Sequence, residues 1–83
     1  MNATRANVHP VSGPLTFASV PDLYAASRAW FAGGSGMVID LAQVTQADSA
    51  GLALLIEWLR QARQAGAPLT FSNIPPQMLV LIR

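Results

Sequence analysis

Eighty-three residues form one small domain, below the size at which chains divide into two. Apolar residues make up 52 % and charged residues 11 %, a charged share about half the usual one, which excludes the low-hydrophobicity, high-charge composition of a disordered chain. Five arginines, no lysine and four carboxylates leave a net charge of +1, so there is no cationic cluster to neutralise nucleic-acid phosphates.

Without cysteine there are no disulfides and no thiolate metal sites, which fits a reducing cytosol. The longest apolar stretch, Gly51 to Ile56, is far short of the roughly 18–20 residues needed to span a bilayer. The opening MNATRANVHP has no apolar h-region of a signal peptide. These features predict a soluble, cytoplasmic chain with no direct membrane insertion. Few charges among many apolar residues also favour a surface that meets a partner.

In chain order, residues 1–7 are polar and unpatterned and read as a loose leader. Val8 to Phe17 reads as a bent strand or short hairpin, with Val8, Val11, Leu15 and Phe17 apolar and Gly13-Pro14 as punctuation. Pro10 and Pro14 cannot donate to a ladder, which places the segment at a sheet edge or turn. Ser19 is positioned to cap a helix starting near Pro21, and Leu23, Ala26, Trp30 and Phe31 give it an apolar stripe. The Gly33-Gly34-Ser35-Gly36 loop ends that helix. Met37 to Leu41 then reads as a short strand buried on both faces.

A stronger helix follows Asp48-Ser49. On a wheel, Leu52, Leu55, Ile56, Leu59 and Ala62 fall within one face of roughly 120°, with Glu57, Arg60, Gln61 and Gln64 opposite. Gly66 suits a left-handed C-terminal residue and Pro68 blocks continuation. Leu69-Thr70-Phe71 is a short strand, Asn73 to Pro76 a turn, and Gln77 to Ile82 opens a third helix with Arg83 hardly two turns in. Strands alternating with helices predict a parallel or mixed sheet covered by helices.

Catalytic chemistry finds little to stand on. His9 is the only histidine, with no cysteine or second histidine to complete a zinc site. Asp40 is better suited to receive backbone amides in a loop than to hold a metal, which needs more oxygen ligands. The Gly33–Gly36 loop lacks the Lys-Ser/Thr ending of a phosphate loop, and no dinucleotide fingerprint is present. No Ser-His-Asp set assembles at a plausible spacing. The expectation is a non-enzyme with no metal and no cofactor.

The informative segment is Asp48-Ser49-Ala50-Gly51-Leu52, where a loop enters the strongest helix. One reading is structural: Asp48 or Ser49 caps the helix, and Gly51 permits close packing of its first turn. The other is functional: a hydroxyl at a positive helix end is a natural switch, because a phosphate there is stabilised by the dipole while placing about −2 charge at any docked surface. Leu54 and Trp58 lie one turn apart, away from the main stripe. They either cover the edge of the core or form a partner-facing patch with the Ser49 loop, with Arg60 and Arg63 solvated or at its rim. Tyr24 has the same two readings.

Val38-Ile39-Asp40-Leu41, Val44, and Asp48-Ser49-Ala50-Gly51-Leu52 with the leucine run that follows resemble the STAS domain, the family of sulfate-transporter tails and anti-sigma-factor antagonists. Ser49 to Leu55, Trp58-Leu59-Arg60, Ala62-Arg63 and Leu69 to Pro75 are most similar to one branch. That branch is the MlaB-type cytoplasmic STAS subunit of the Mla phospholipid-transport ABC complex of Gram-negative bacteria. Two features depart from the pattern: Gly13-Pro14-Leu15-Thr16 stands for the usual Gly-Glu-Leu-Asp, and the chain stops within the third helix.

The resemblance implies an α/β, STAS-like (anti-sigma-factor antagonist-like) mixed sheet of four to five strands with helices mainly on one face. It implies a single domain over 8–83 that lacks the C-terminal end of the family fold. It also implies a non-catalytic subunit that binds the transporter ATPase and, through it, the inner-membrane permease, supporting outer-membrane lipid asymmetry from the cytoplasmic side of the inner membrane. Tyr24, Ser49, Ala50, Leu54 and Trp58 are the expected docking residues. The alternative is an anti-sigma-factor antagonist whose partner kinase phosphorylates Ser49.

Overall fold

The computed structural model describes residues 7–82. The expected leader therefore lies outside the described residues, apart from Asn7, which opens the first strand. The elements are β1 (Asn7–Leu15), α1 (Val20–Ser27), β2 (Met37–Ala47), α2 (Ser49–Ala65), β3 (Leu69–Ser72) and α3 (Pro76–Ile82). The strands form one sheet in the order β1-β2-β3, with both pairings parallel. The expected mixed sheet of four to five strands is thus corrected to three parallel strands among the described residues.

The reason lies in β1. Its segment left a hairpin open, yet it runs as a single edge strand. Pro10, Pro14 and Gly13 (φ 83°) are absorbed as irregularities between Pro10 and Ser12 and between Gly13 and Pro14, not as a reversal. A bulge of this kind bends a strand without ending it.

Crossovers of one hand that advance the sheet in one direction collect their helices on one face. There the alternate residues Met37, Ile39 and Leu41 of β2 are buried with Val11 and Leu15 of β1. They join Leu55 and Ala62 of α2 and Met78 of α3 in one cluster. β2 extends six residues past its expected end at Leu41, because β1 pairs with it as far as Leu15 opposite Ala47. β3 meets only Met37 to Asp40. Ala42, Gln43, Thr45 and Gln46 are exposed, so backbone pairing makes this extension, helped by Val44 and Ala47, which pack against the core.

α1 is shorter than its stripe suggested. Ser19 sits at its N-cap position without a capping bond from its side chain. Its hydroxyl instead donates to the Pro14 carbonyl at 2.6 Å and accepts from the Thr16 N–H at 3.0 Å, fastening the β1–α1 turn. Trp30 and Phe31 follow on successive turns, with the Trp30 N–H donating to the Ser27 carbonyl and the Gly34 N–H to that of Phe31. Phe31 is buried and Ala26 is exposed.

The largest correction concerns which side of α2 faces the sheet. Ile56 and Leu59, expected in the core, are 58 % and 45 % exposed, whereas Leu54 and Trp58 are 3 % and 0 % exposed. α2 carries apolar residues around most of its circumference, so two stripes compete. Gly51 and Trp58 decide between them. Gly51 lets the helix start press against Leu15, the last residue of β1. On the same side, an indole buries about 150–250 Å², more than any aliphatic residue on the competing stripe. The Trp58 Nε1–H donates to the buried Ser27 Oγ at 2.8 Å, and that hydroxyl donates to the Tyr24 carbonyl at 2.9 Å. Both buried polar groups are thereby satisfied, as burial requires. α2 closes at Gly66 in the left-handed region (φ 70°), as the pattern predicts.

Candidate functional site

Asp48 settles which residue caps α2. In extended backbone (φ −126°, ψ −165°), its Oδ1 accepts from the Ala50 N–H at 2.8 Å and from the Gly51 N–H at 3.4 Å. Its Oδ2 accepts from the Phe17 N–H at 3.2 Å, and its own N–H donates to the Leu15 carbonyl at 3.1 Å. One carboxylate therefore ties the end of β1 and the loop after it to the first turn of α2. Asp48→Ala is expected to destabilise the domain by about 1–2 kcal/mol, the range of strong N-caps, read as a lower urea midpoint with an unchanged slope.

Because Asp48 does the capping, Ser49 is left as the first helical residue, exposed, with its hydroxyl at the positive end of a 17-residue helix. Ala50 beside it is half-buried. Of the five expected docking residues, the structure brings Ser49 and Ala50 together. Tyr24 is on the outer side of α1, 37 % exposed. It is also the smallest contributor among the groups that hold Arg60 above its ordinary range, after the hydrogen bond and charge of Glu57. Leu54 and Trp58 point into the core, so they are corrected from docking residues to packing residues. A side chain with no exposed surface has none to offer a partner.

Three exposed residues escaped the sequence reading. Phe17 is 73 % exposed beside Asp48, its backbone fixed by the bond to Oδ2. Its signal was an aromatic residue inside the Thr16–Ser19 turn. Ile56 and Leu59 open outward on α2 and line, with Arg60 and Arg63, a groove of about 310 Å³. On this face Glu57 receives a bidentate contact from Arg60 and a hydrogen bond from Gln61 at 3.2 Å. Those two partners, Arg60 first, hold its carboxyl below the usual range.

The remaining polar groups serve structure. Asp40 Oδ1 accepts from the Asn73 side-chain amide at 2.9 Å and from the Ala42 N–H at 3.0 Å, pinning β2 to the turn after β3. These bonds, Asn73 foremost, keep the Asp40 carboxyl below its ordinary range. His9 stacks on Trp30 with ring centroids 4.5 Å apart, and Trp30 stacks on Trp58 at 5.5 Å. Among the described residues no group of three His, Cys, Asp or Glu could hold a metal ion. No helix among them is long and apolar enough to cross a membrane. Chemically, the site offers a solvent-facing hydroxyl on a rigid, positively polarised helix end, flanked by apolar surface.

Residues 3–83 match the family described as "Mlab, STAS domain". No curated protein matches the chain. Among solved structures, the chain is similar to the anti-sigma factor antagonist SpoIIAA in its unphosphorylated form. The TM-score is 0.71 at 18 % identity, covering 98 % of this chain and 76 % of that one. It is also similar to part of Mglu, with a TM-score of 0.70 at 20 % identity, covering 83 % of this chain and 17 % of the Mglu chain. At these identities the likeness is one of fold.

Proposed function

The chain belongs to the STAS domain family, and from that premise we propose that it is a non-catalytic regulatory subunit docking on the ATPase of a phospholipid-transporting ABC complex. In this reading residues 8–83 act as one module. It is held at the cytoplasmic side of the inner membrane through the ATPase and its permease, and it supports assembly or activity that maintains outer-membrane lipid asymmetry. A module without catalytic groups acts by binding one state of its partner better than another, or by stabilising the assembled complex.

The observation that carries the proposal is the exposed Ser49 on a helix start that Asp48 already caps. The hydroxyl has no structural duty there and is available to a partner. The Mlab description of the matching family supports the transporter branch.

Ser49→Glu is expected to weaken ATPase binding at least about tenfold, because a charge enters a desolvated contact. Ser49→Ala is expected to stay within a few-fold of wild type. Titration calorimetry against the purified ATPase checks both. A carboxylate at a helix N-terminus is favourable to the helix itself, so Ser49→Glu should not lower the melting temperature. Equal affinity of Ser49→Glu and wild type would remove Ser49 from the interface.

A second reading rests on the likeness in fold to SpoIIAA, an anti-sigma factor antagonist, together with the same free hydroxyl. Here the chain is such an antagonist, and an anti-sigma-factor kinase phosphorylates Ser49. This reading predicts phosphate incorporation that Ser49→Ala abolishes.

A further inference from the structure

We propose that the exposed stripe of α2, from Ser49 through Ile56 and Leu59 to Arg63, is one continuous docking face. The protein that covers Ser49 covers all of it, with an apolar surface edged by carboxylates. This rests on the reading of Ser49 given above and extends it along the helix.

At about 100° per residue, Ser49, Ala53, Ile56, Arg60 and Arg63 fall within roughly 80° of one another, with Leu59 on their flank. The opposite side holds Gly51, Leu54, Leu55, Trp58 and Ala62, all buried in the domain. The stripe runs about 21 Å from Ser49 to Arg63 at ~1.5 Å per residue. Ile56 and Leu59 are the exposed large apolar residues of α2. They sit in the groove they form with Arg60 and Arg63, one to two turns beyond the middle of the stripe's first half. An apolar centre with a charged rim is the anatomy of a protein contact.

Charge selects the occupant. Arg60 is already paired with Glu57, while among the described residues no carboxylate pairs with Arg63. The partner is therefore expected to supply the acid. A second copy of this chain offers on the same face only Glu57, which Arg60 and Gln61 already engage. A bilayer surface is a poorer fit, because stable anchoring to anionic lipid takes several cations or a lipid chain, and one unpaired arginine beside two aliphatic side chains falls short of that.

The test titrates the full chain and its Ser49→Glu, Ile56→Glu and Arg63→Glu variants into the purified ABC ATPase. Ile56→Glu is expected to weaken binding at least about tenfold, as a charge placed on a central apolar contact does, and Arg63→Glu about three- to fivefold, as reversal of a rim charge does. The Arg63→Glu loss should shrink at high salt. Both positions are exposed; Ile56→Glu should leave the melting temperature unchanged, while Arg63→Glu, which places a carboxylate in the last turn of α2, lowers it by about a few degrees without unfolding the chain. If Ser49→Glu loses affinity while the other two bind like wild type, the contact ends at the helix start. The further inference then falls and the reading of Ser49 stands. If the wild-type chain does not bind the ATPase, both fall. Self-association in sedimentation velocity, or co-sedimentation with phosphatidylglycerol vesicles, that Ile56→Glu abolishes while ATPase binding is intact would overturn the inference in favour of a second copy or a bilayer.

Discussion

Trp58→Ala is expected to remove roughly half of the domain's stability. Truncating a buried tryptophan costs about 3–5 kcal/mol through lost transfer energy and the cavity left behind. An 83-residue domain has about 4–12 kcal/mol in total, at ~0.05–0.15 kcal/mol per residue. Trp58 is fully buried, stacks on Trp30 and donates its indole N–H to Ser27. Truncation therefore removes the side chain that joins α2 to α1 and to the turn after it. Trp58→Phe separates the contributions: it keeps a ring against Trp30 and removes only the N–H donor and part of the volume. Its loss should be roughly half as large, because the Ser27 hydroxyl still donates to Tyr24. Urea denaturation followed by far-UV circular dichroism checks both. A Trp58→Ala protein as stable as wild type would contradict the placement of α2.

Gly51→Ala carries the second largest effect, and its sign is the informative part. In an exposed helix this change stabilises by about 0.8–1 kcal/mol. Here a Cβ on Gly51 would lie 2.6 Å from the Leu15 carbonyl oxygen and 2.9 Å from the Leu15 Cβ. That carbonyl cannot retreat freely, because it also accepts the Asp48 N–H at 3.1 Å, and Leu15 itself is fully buried. Relief requires moving the start of α2 away from β1, with a net loss of about 1–3 kcal/mol typical of overpacking. The same displacement shifts Ser49 and Ala50, so Gly51→Ala should weaken partner binding as well as stability. A stabilised Gly51→Ala would show that the helix start does not rest on β1.

These two positions also show how far the fold was legible in advance. Local chemistry read correctly along α2, where one residue type answers one backbone need, but not at Ser19, whose hydroxyl fastens the β1–α1 turn without capping α1. Asp48 at the start of α2, Gly66 in the left-handed region at its end, and Gly51 at a close approach all had signals in the sequence. The run of elements along the chain followed for the same reason. The face of α2 did not, because hydrophobicity alone ranks Leu52, Ile56 and Leu59 with Leu54, Leu55 and Trp58. Only the tertiary contacts, Gly51 on Leu15 and Trp58 on Ser27, break the tie. The docking residues inherited that error, since Leu54 and Trp58 were placed outside on the strength of the wrong stripe. The far half of β2 was invisible because the exposed Ala42, Gln43, Thr45 and Gln46 carry no alternation.

Fold and proposed function meet at one helix, α2. Its inner side, through Gly51, Leu55 and Trp58, holds the sheet and its neighbours together. Its outer side, beginning at Ser49, is the proposed docking face. The rigidity of the first side positions the second, because Asp48 couples both to the end of β1. Preorganisation of this kind lowers the ordering cost of docking.

The measurement that bears most directly on this account is the identity of that partner. The tagged chain would be purified from its own host's membranes, and the retained proteins identified by mass spectrometry. The account predicts an ABC ATPase together with its permease, retained by wild type and depleted by Ser49→Glu. Retention of an anti-sigma-factor kinase with no transporter subunit would contradict it.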